Sequence, residues 1–219
     1  MGIWLDYDRA GLDAQYDLRA AVPTFQADFD RWRALSAATR KFPRARLDIA
    51  YGEGPLERLD LFPGNVPRAP VQAFIHGGYW QAMDKSDFDF IAEGFAPVGA
   101  HMAILNYKLA PAASMDRIVA SVRAGLAWLW RHAGDFDGDA DRLFVSGHSA
   151  GGHLTAMAML TDWRAQGPDL PANLVKGGMA ISGVFGLEPI GLCYLNDKVG
   201  LDSPMARRNS PSALLAAGK

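Results

Sequence analysis

Short apolar runs separated by amphipathic stretches make up most of the chain after residue 42. Segments 46–51 and 58–62 alternate apolar and polar residues around a glycine-rich turn, which predicts a hairpin of edge strands. Later runs are continuously apolar, which is typical of strands buried on both faces of a parallel sheet. These later runs cover residues 71–75, 102–105, 143–145 and 178–181.

Helical periodicity fills the segments between the apolar runs. Apolar residues within 118–129 are spaced to form one stripe, and residues 149–160 form a second predicted helix. The sequence at 86–89 resembles a capping box, so we expect a further helix over residues 86–95. This alternation of strands and helices predicts an α/β fold, with a mostly parallel central sheet and helices on both faces.

Residues 1–42 differ from the rest of the chain in being charged and aromatic, with Phe25, Phe29 and Trp32 at helical spacing. We interpret this segment as an N-terminal helical arm or lid that packs on the main body. Residues 43–219 then form the α/β core as one domain, because α/β folds of this size are routinely undivided.

Composition and charge disfavour several classes of function. Hydrophobic residues make up 49% of the 219 residues and the formal net charge is −2, so nucleic acid is not an expected partner. The single cysteine, Cys193, cannot form an intramolecular disulfide and is expected to be a buried thiol. The acidic N-terminus lacks a signal-peptide pattern, and no apolar run reaches about 18 residues. We therefore expect a cytoplasmic protein with no membrane partner.

Residues 147–151 read Gly-His-Ser-Ala-Gly and lie between a predicted strand and a predicted helix. This G-x-S-x-G pattern is typical of a sharp turn that exposes the serine hydroxyl above a sheet. Glycine is needed on either side because larger side chains would clash in so tight a turn. We therefore predict that Ser149 is a catalytic nucleophile. The alternative is a glycine-rich turn that merely begins a helix.

A second motif, His-Gly-Gly-Tyr-Trp at 76–80, directly follows the apolar run at 71–75. Acyl-transfer enzymes stabilise a negatively charged oxygen with preorganised backbone N–H groups. Glycines let such a loop approach a substrate carbonyl without a side chain in the way. We therefore predict an oxyanion hole formed by Gly77, Gly78 and Ala150, the residue after the nucleophile.

The remaining side chains of these motifs have structural as well as functional interpretations. We expect His76 to brace its loop through hydrogen bonds rather than to act in catalysis. Tyr79 and Trp80 are either buried aromatics beside the strand ends or the wall of a substrate pocket. His148, next to the predicted nucleophile, is a further candidate for that pocket.

Together with Asn-Tyr-Lys-Leu-Ala-Pro at 106–111, these motifs resemble the arylformamidase (kynurenine formamidase) and esterase/lipase branch of the α/β-hydrolases. The resemblance covers residues 45–215 and includes Asn-Ser-Pro at 209–211. It implies a serine hydrolase that cleaves small carboxylic esters or N-formyl aryl amides through an acyl-enzyme on Ser149. It implies a small-molecule substrate as the partner, and neither a metal nor an organic cofactor.

The chain departs from this family where the rest of the catalytic triad is expected. In α/β-hydrolases an Asp or Glu and then a His follow the serine. The one histidine after Ser149 is His153, which the same predicted helix keeps from facing the serine hydroxyl. The resemblance therefore predicts a C-terminally truncated hydrolase that lacks the last strands of its sheet. The unpaired edge of such a sheet would favour a homo-oligomer.

Other functions are weighed against the hydrolase. A catalytically incompetent binding protein or fragment on the same fold would account for the missing triad Asp and His. A nucleotide-binding protein is disfavoured because no G-x-G-x-x-G opens the first strand–helix unit. A metal site is also disfavoured, because the aspartates within 135–141 lack the glycine and glutamate of a calcium loop. His148 and His153 do not share a helix face as a zinc pair would.

Overall fold

The computed structural model describes residues 2–218, which contain one six-stranded sheet. The strands are β1 (Arg46–Ala50), β2 (Arg58–Phe62), β3 (Ala69–Ile75), β4 (His101–Leu105), β5 (Gly138–His148) and β6 (Gly177–Ile181). Their order across the sheet is β1-β2-β4-β3-β5-β6. β1 and β2 form the predicted antiparallel hairpin, β2 pairs antiparallel with β4, and the remaining pairs are parallel.

Helices connect the strands and precede the sheet. The α-helices are α1 (Arg9–Tyr16), α2 (Leu18–Ala21), α3 (Phe25–Thr39), α4 (Met115–His132), α5 (Ala150–Met159), α6 (Asn196–Val199), α7 (Ser203–Arg208) and α8 (Pro211–Ala216). The 3₁₀ helices are Lys85–Asp87, Asp89–Gly94, Ala96–Val98, Ala133–Phe136, Arg164–Gln166 and Ile190–Leu192. Within residues 2–218, no helix is both long enough and apolar enough to cross a membrane.

Alternate side chains of the central strands enter separate apolar clusters. Val71 and Ile75 of β3 join a large cluster that includes the buried faces of α4 and α5. Phe74 of the same strand joins a smaller cluster with Phe88, against which Trp32 of α3 packs. Because successive residues of a strand point to opposite faces, these clusters cover both sides of the sheet. The predicted α/β layering is therefore confirmed.

The segment predicted as a helix over 86–95 is a series of short 3₁₀ helices instead, so that prediction is wrong. A capping box is present, but it begins at Asp84 and is completed by Asp87. Phe88 and Ile91 are three residues apart, a spacing that aligns side chains on a 3₁₀ helix as well as on an α-helix. The apolar spacing therefore did not distinguish the two helix types.

A partly buried group of charges connects α3 to the sheet and to the segment after β3. Arg40 Nη1 lies 2.6 Å from Asp60 Oδ2 and 2.6 Å from Asp89 Oδ2. Lys85 Nζ lies 2.9 Å from Asp60 Oδ2 and 2.6 Å from Asp48 Oδ1. Burial, reinforced by the charge of Asp60, raises the pKa of Asp89 to about 7. This charge group fixes the end of α3 against the body of the protein.

β6 forms one edge of the sheet and exposes apolar side chains. Met179 is 65% exposed and Ile181 is 41% exposed. No strand within the described residues after β6 pairs with this edge. Self-association through the edge remains a prediction.

Candidate functional site

Ser149 lies in a strained turn between β5 and α5. Its backbone has φ 57° and ψ −119°, in a region that residues other than glycine rarely adopt. Such strain is typical of functional sites and persists only where the surrounding structure holds it. The N–H of Ser149 donates to the carbonyl oxygen of Ile181 at 2.9 Å, which ties the turn to β6. The side chain is partly exposed at the carboxyl end of the parallel strands.

The glycines around Ser149 are required by close backbone contacts. A Cβ atom on Gly147 would collide with the carbonyl oxygen of Gly151. A Cβ atom on Gly151 would collide with the carbonyl oxygen of Ile75, at the end of β3. The absence of side chains at these positions therefore lets α5 begin directly against the end of β3.

The loop after β3 passes beside Ser149. A Cβ atom on Gly77 would lie 3.3 Å from the Cβ atom of Ser149 and 3.1 Å from the carbonyl oxygen of His148. Gly78 has φ 103°, and its carbonyl oxygen accepts the N–H groups of Gln81 and Ala82 at 3.0 and 3.1 Å. The two sequence motifs are thus brought together in space, with the first glycine of the loop against the serine.

Side chains on neighbouring segments hold this loop from behind. His76 is fully buried, and its Nδ1 donates to the carbonyl oxygen of Gly77 at 2.8 Å. The hydroxyl of Tyr107 donates to the carbonyl oxygens of His76 and Gly77 at 2.9 and 3.2 Å. Asn106 Oδ1 lies 3.0 Å from His76 Nε2 and accepts the N–H of Lys85 at 2.9 Å. Burial lowers the pKa of His76, and both of its ring nitrogens contact the loop or the segment behind it.

Trp80 is a fully buried aromatic and does not line an exposed pocket wall. Its indole N–H donates to Nδ1 of His153 at 3.1 Å, and His153 Nε2 donates to the carbonyl oxygen of Asn209 at 2.7 Å. Burial lowers the pKa of His153 to about 4, so this ring is neutral near pH 7. Both ring nitrogens of His153 therefore contact partners other than the Ser149 hydroxyl, which agrees with the sequence prediction.

Tyr79 and His148 are the predicted pocket side chains that keep some exposure. The hydroxyl of Tyr79 donates to the carbonyl oxygen of Tyr16 at 3.2 Å, and the hydroxyl of Tyr194 donates to the same oxygen at 3.2 Å. Burial raises the pKa of Tyr79, so its hydroxyl stays protonated. The end of α1 is therefore joined to the loop that follows β3. The sequence pattern alone did not predict this contact between α1 and the loop.

Other residues of the site escaped prediction because nothing local in the sequence marks them. Asn106 and Tyr107 belonged to a family motif, but their hydrogen bonds to the loop at 76–77 could not be read from it. Their place directly after β4, beside the end of β3, was the available signal.

Within residues 2–218, no group of three or more His, Cys, Asp or Glu side chains is arranged to hold a metal ion.

Sequence comparison identifies relatives of the chain. Residues 59–176 match the BD-FAE family. The kynurenine formamidase of Danio rerio is 33% identical over 225 residues, which cover 99% of this chain and 74% of that protein.

Structural comparison supports the same grouping. A candidate thioesterase from Silicibacter sp. TM1040 superposes with a TM-score of 0.82 and 30% identity, covering 92% of this chain and 74% of that one. Esterase B from Lactobacillus rhamnosis has a TM-score of 0.68 at 19% identity, covering 91% of this chain and 71% of that one, and so shares the fold. The chain therefore has the α/β-hydrolase fold and belongs to the BD-FAE family, within its esterase and arylformamidase-like members.

Proposed function

We propose that this protein is a serine hydrolase that cleaves small carboxylic esters or N-formyl aryl amides through an acyl-enzyme on Ser149. The observation that carries the proposal is the strained backbone of Ser149, held beside the Gly77 loop at the carboxyl end of the sheet. In α/β sheets this end is where ligands bind.

In the proposed reaction the Ser149 oxygen attacks the substrate carbonyl carbon and forms a new C–O bond. Collapse of the tetrahedral intermediate breaks the bond to the alcohol or amine, which leaves with the proton that the serine gives up. Water then attacks the acyl-enzyme, releases the carboxylic acid and restores the serine hydroxyl. The reaction needs no redox partner, and its main electrostatic demand is a site for the developing negative oxygen.

The backbone around Ser149 suits that demand. The carbonyl of Gly77 is held from behind by His76 and Tyr107. Within a trans peptide unit the carbonyl and the following N–H point in opposite directions, so these bonds turn the N–H of Gly78 away from His76. The N–H of Ala150 begins α5 and lacks a partner within the helix. We propose these N–H groups, with that of Gly77, as the donors to the oxyanion.

The mechanism also requires a general base that takes the proton of the Ser149 hydroxyl. His76 and His153 are unsuitable because the ring nitrogens of both already face protein partners. His101 begins β4 and so lies at the opposite end of the parallel strands. His148 is exposed beside the serine, and we assign it to the substrate pocket with Tyr79. This distribution of histidines keeps a catalytically incompetent binding protein as the second candidate function.

The substrate class is proposed from the relatives together with the site. The Danio rerio protein is a kynurenine formamidase, and Esterase B shares the fold. Partly exposed Tyr79 and His148 would offer flat rings to an aryl substituent of the substrate. Esters and formamides require the same nucleophile and oxyanion site, so one active site serves both.

A fluorophosphonate probe tests the nucleophile. We expect it to modify Ser149 covalently and Ser149→Ala to abolish labelling. Ser146→Ala removes a hydroxyl from β5, the strand before Ser149, and should retain labelling, because the Ser146 hydroxyl accepts a hydrogen bond from Gln72. Labelling that persists in Ser149→Ala would contradict the assignment.

Turnover of p-nitrophenyl acetate and of N-formylkynurenine tests the reaction. Hydrolysis of the second compound alone would identify a formamidase, and hydrolysis of the first alone an esterase. If neither is hydrolysed while N-formylkynurenine still binds by calorimetry, the binding-protein alternative replaces the hydrolase.

A further inference from the structure

We propose that His153 is a positioning residue that sets the distance between the oxyanion loop and the helix carrying Ser149. It does so by accepting the indole N–H of Trp80. This role rests on the proposed function, because it concerns the placement of the oxyanion donors.

The hydrogen bonds of His153 define its tautomer. A carbonyl oxygen can only accept, so Nε2, at 2.7 Å from the Asn209 oxygen, must carry the proton. Nδ1 is then a lone-pair acceptor and receives the N–H of Trp80 at 3.1 Å. The indole and imidazole rings are perpendicular, with centroids 5.2 Å apart. Both side chains are fully buried, so water does not compete for these bonds.

His153 belongs to the same helix that begins at the proposed nucleophile. Its backbone N–H donates to the carbonyl oxygen of Ser149 at 3.1 Å, which forms the first turn of α5. Its side chain therefore moves with Ser149 and with Ala150, one of the proposed oxyanion donors. A group that is hydrogen-bonded to the His153 ring is therefore kept at a fixed distance from Ser149.

Trp80 belongs to the loop that carries the other proposed donors, two residues after Gly78. Its backbone has φ 59°, and its carbonyl oxygen accepts the N–H of Ala110 at 2.8 Å. The indole N–H to His153 is the side-chain hydrogen bond that links this loop to α5. The link matters because the proposed donors come from two separate segments, and both must point at one oxygen atom.

The opposite side of His153 is itself anchored. Asn209, whose carbonyl oxygen accepts the hydrogen bond from His153 Nε2–H, follows α7, and its Nδ2 donates to Asp116 Oδ1 on α4 at 2.7 Å. The imidazole is therefore fixed between the end of α7 and the loop. A misplacement of catalytic groups by about 1 Å can slow a reaction on the order of 100-fold. Loss of the link should therefore reduce kcat more than it changes KM.

Trp80→Phe tests the link because it keeps an aromatic ring and removes the N–H. We expect labelling of Ser149 and kcat for p-nitrophenyl acetate to fall by about 10- to 100-fold, with KM nearly unchanged. The matched control is Trp130→Phe. The buried Trp130 N–H has no hydrogen-bond partner within residues 2–218, so this variant should label within about twofold of the unmodified chain.

Variants of His153 separate positioning from packing. His153→Gln can still accept and donate, so we expect it to retain more labelling than His153→Leu, which can do neither. If one hydrogen bond carries the effect, Trp80→Phe combined with His153→Leu should be little slower than the slower single variant. If the losses in labelling rate of the two single variants add in the double variant, the proposed coupling between Trp80 and His153 is overturned.

Nitrogen-15 NMR gives a readout that does not depend on turnover. We expect an Nε2-protonated neutral tautomer for His153 at pH 7, and a Trp80 indole N–H that shifts in His153→Gln. An Nδ1-protonated ring, or unchanged labelling and kcat in a folded Trp80→Phe, would overturn the positioning role alone. An unmodified chain that resists both probe and substrates, with these NMR signals intact, would overturn the proposed function and this role with it.

Discussion

The backbone N–H of Ser149 and the carbonyl oxygen of Ile181 are joined by a 2.9 Å hydrogen bond between the turn after β5 and the end of β6. Residues in rarely populated backbone regions are destabilised by about 1–3 kcal/mol. Here the cost is offset by neighbours on both sides of the turn. Ile181 fixes the serine from one strand, and the end of β3 lies against Gly151 on the other side.

Gly151→Ala should therefore be strongly destabilising. The added Cβ would overlap the carbonyl oxygen of Ile75 and lie 2.7 Å from that of His76, and backbone atoms yield poorly. We expect a loss of about 3 kcal/mol in the free energy of unfolding, measured in urea. Gly134→Ala is the control, because a Cβ there meets no atom within 4 Å and should change stability by about 0.5 kcal/mol or less. Similar stabilities for the two variants would contradict this account.

Tyr107→Phe should affect both stability and the site. Removing its hydroxyl deprives the carbonyls of His76 and Gly77 of a donor, at a cost of about 1–3 kcal/mol. If Gly77 is held as proposed, labelling of Ser149 should also slow. Tyr51→Phe loses a comparable bond to the carbonyl of Asn106 at 2.6 Å, outside the loop, and should be destabilised without slower labelling. Equal labelling rates for the two variants would argue against the bracing role.

Asp89 should make the protein less stable as the pH rises. Its pKa is about 7 in the folded protein against 3.8 for the unperturbed group, mainly because it is buried. The folded state therefore holds a proton that the unfolded chain releases between about pH 4 and 7, and stability falls across this window. The free energy of unfolding of Asp89→Asn should rise relative to that of the unmodified protein over that range, by up to about 4 kcal/mol. The exposed Asp30→Asn is the control, and thermal unfolding across pH is the measurement.

His153 should produce the opposite dependence on pH. Its pKa is about 4 when folded against 6.5 for the unperturbed ring, because burial disfavours the charged form. Its stabilising contribution is complete above about pH 6.5 and is lost as the pH falls toward 4, by up to about 3 kcal/mol. His153→Gln should show a shallower loss over this range. A parallel pH profile for the variant would mean that the ring is solvated or charged in the folded protein.

Two central strands could be predicted closely because each is a continuous apolar run with distinct boundaries. The strand that ends at Ile75 and the one that ends at Leu105 were placed to within two residues at each end. The segment after β3 was misassigned as an α-helix because Phe88 and Ile91 fit either helical period. The charges at Arg40, Asp60 and Asp89 escaped prediction because they meet only after folding.

The local part of the candidate site could also be predicted, since glycine spacing encodes a turn directly. Gly77 and Ser149 were expected to meet, and they do. Trp80 had two acceptable interpretations, and burial selects the structural one. Its bond to His153, and the further bond to Asn209, depend on side chains from distant segments, for which a single sequence offers no pairing signal.

The shared hydrogen bond between Trp80 and His153 has a consequence for redesign of this protein. A mutational library that varies either position singly will mostly sample mismatched donor and acceptor pairs, each with an unsatisfied buried polar atom. Randomising both codons at once would give access to apolar pairs that fill the same space without needing a proton between them. Variants with higher stability should therefore be sought among double replacements.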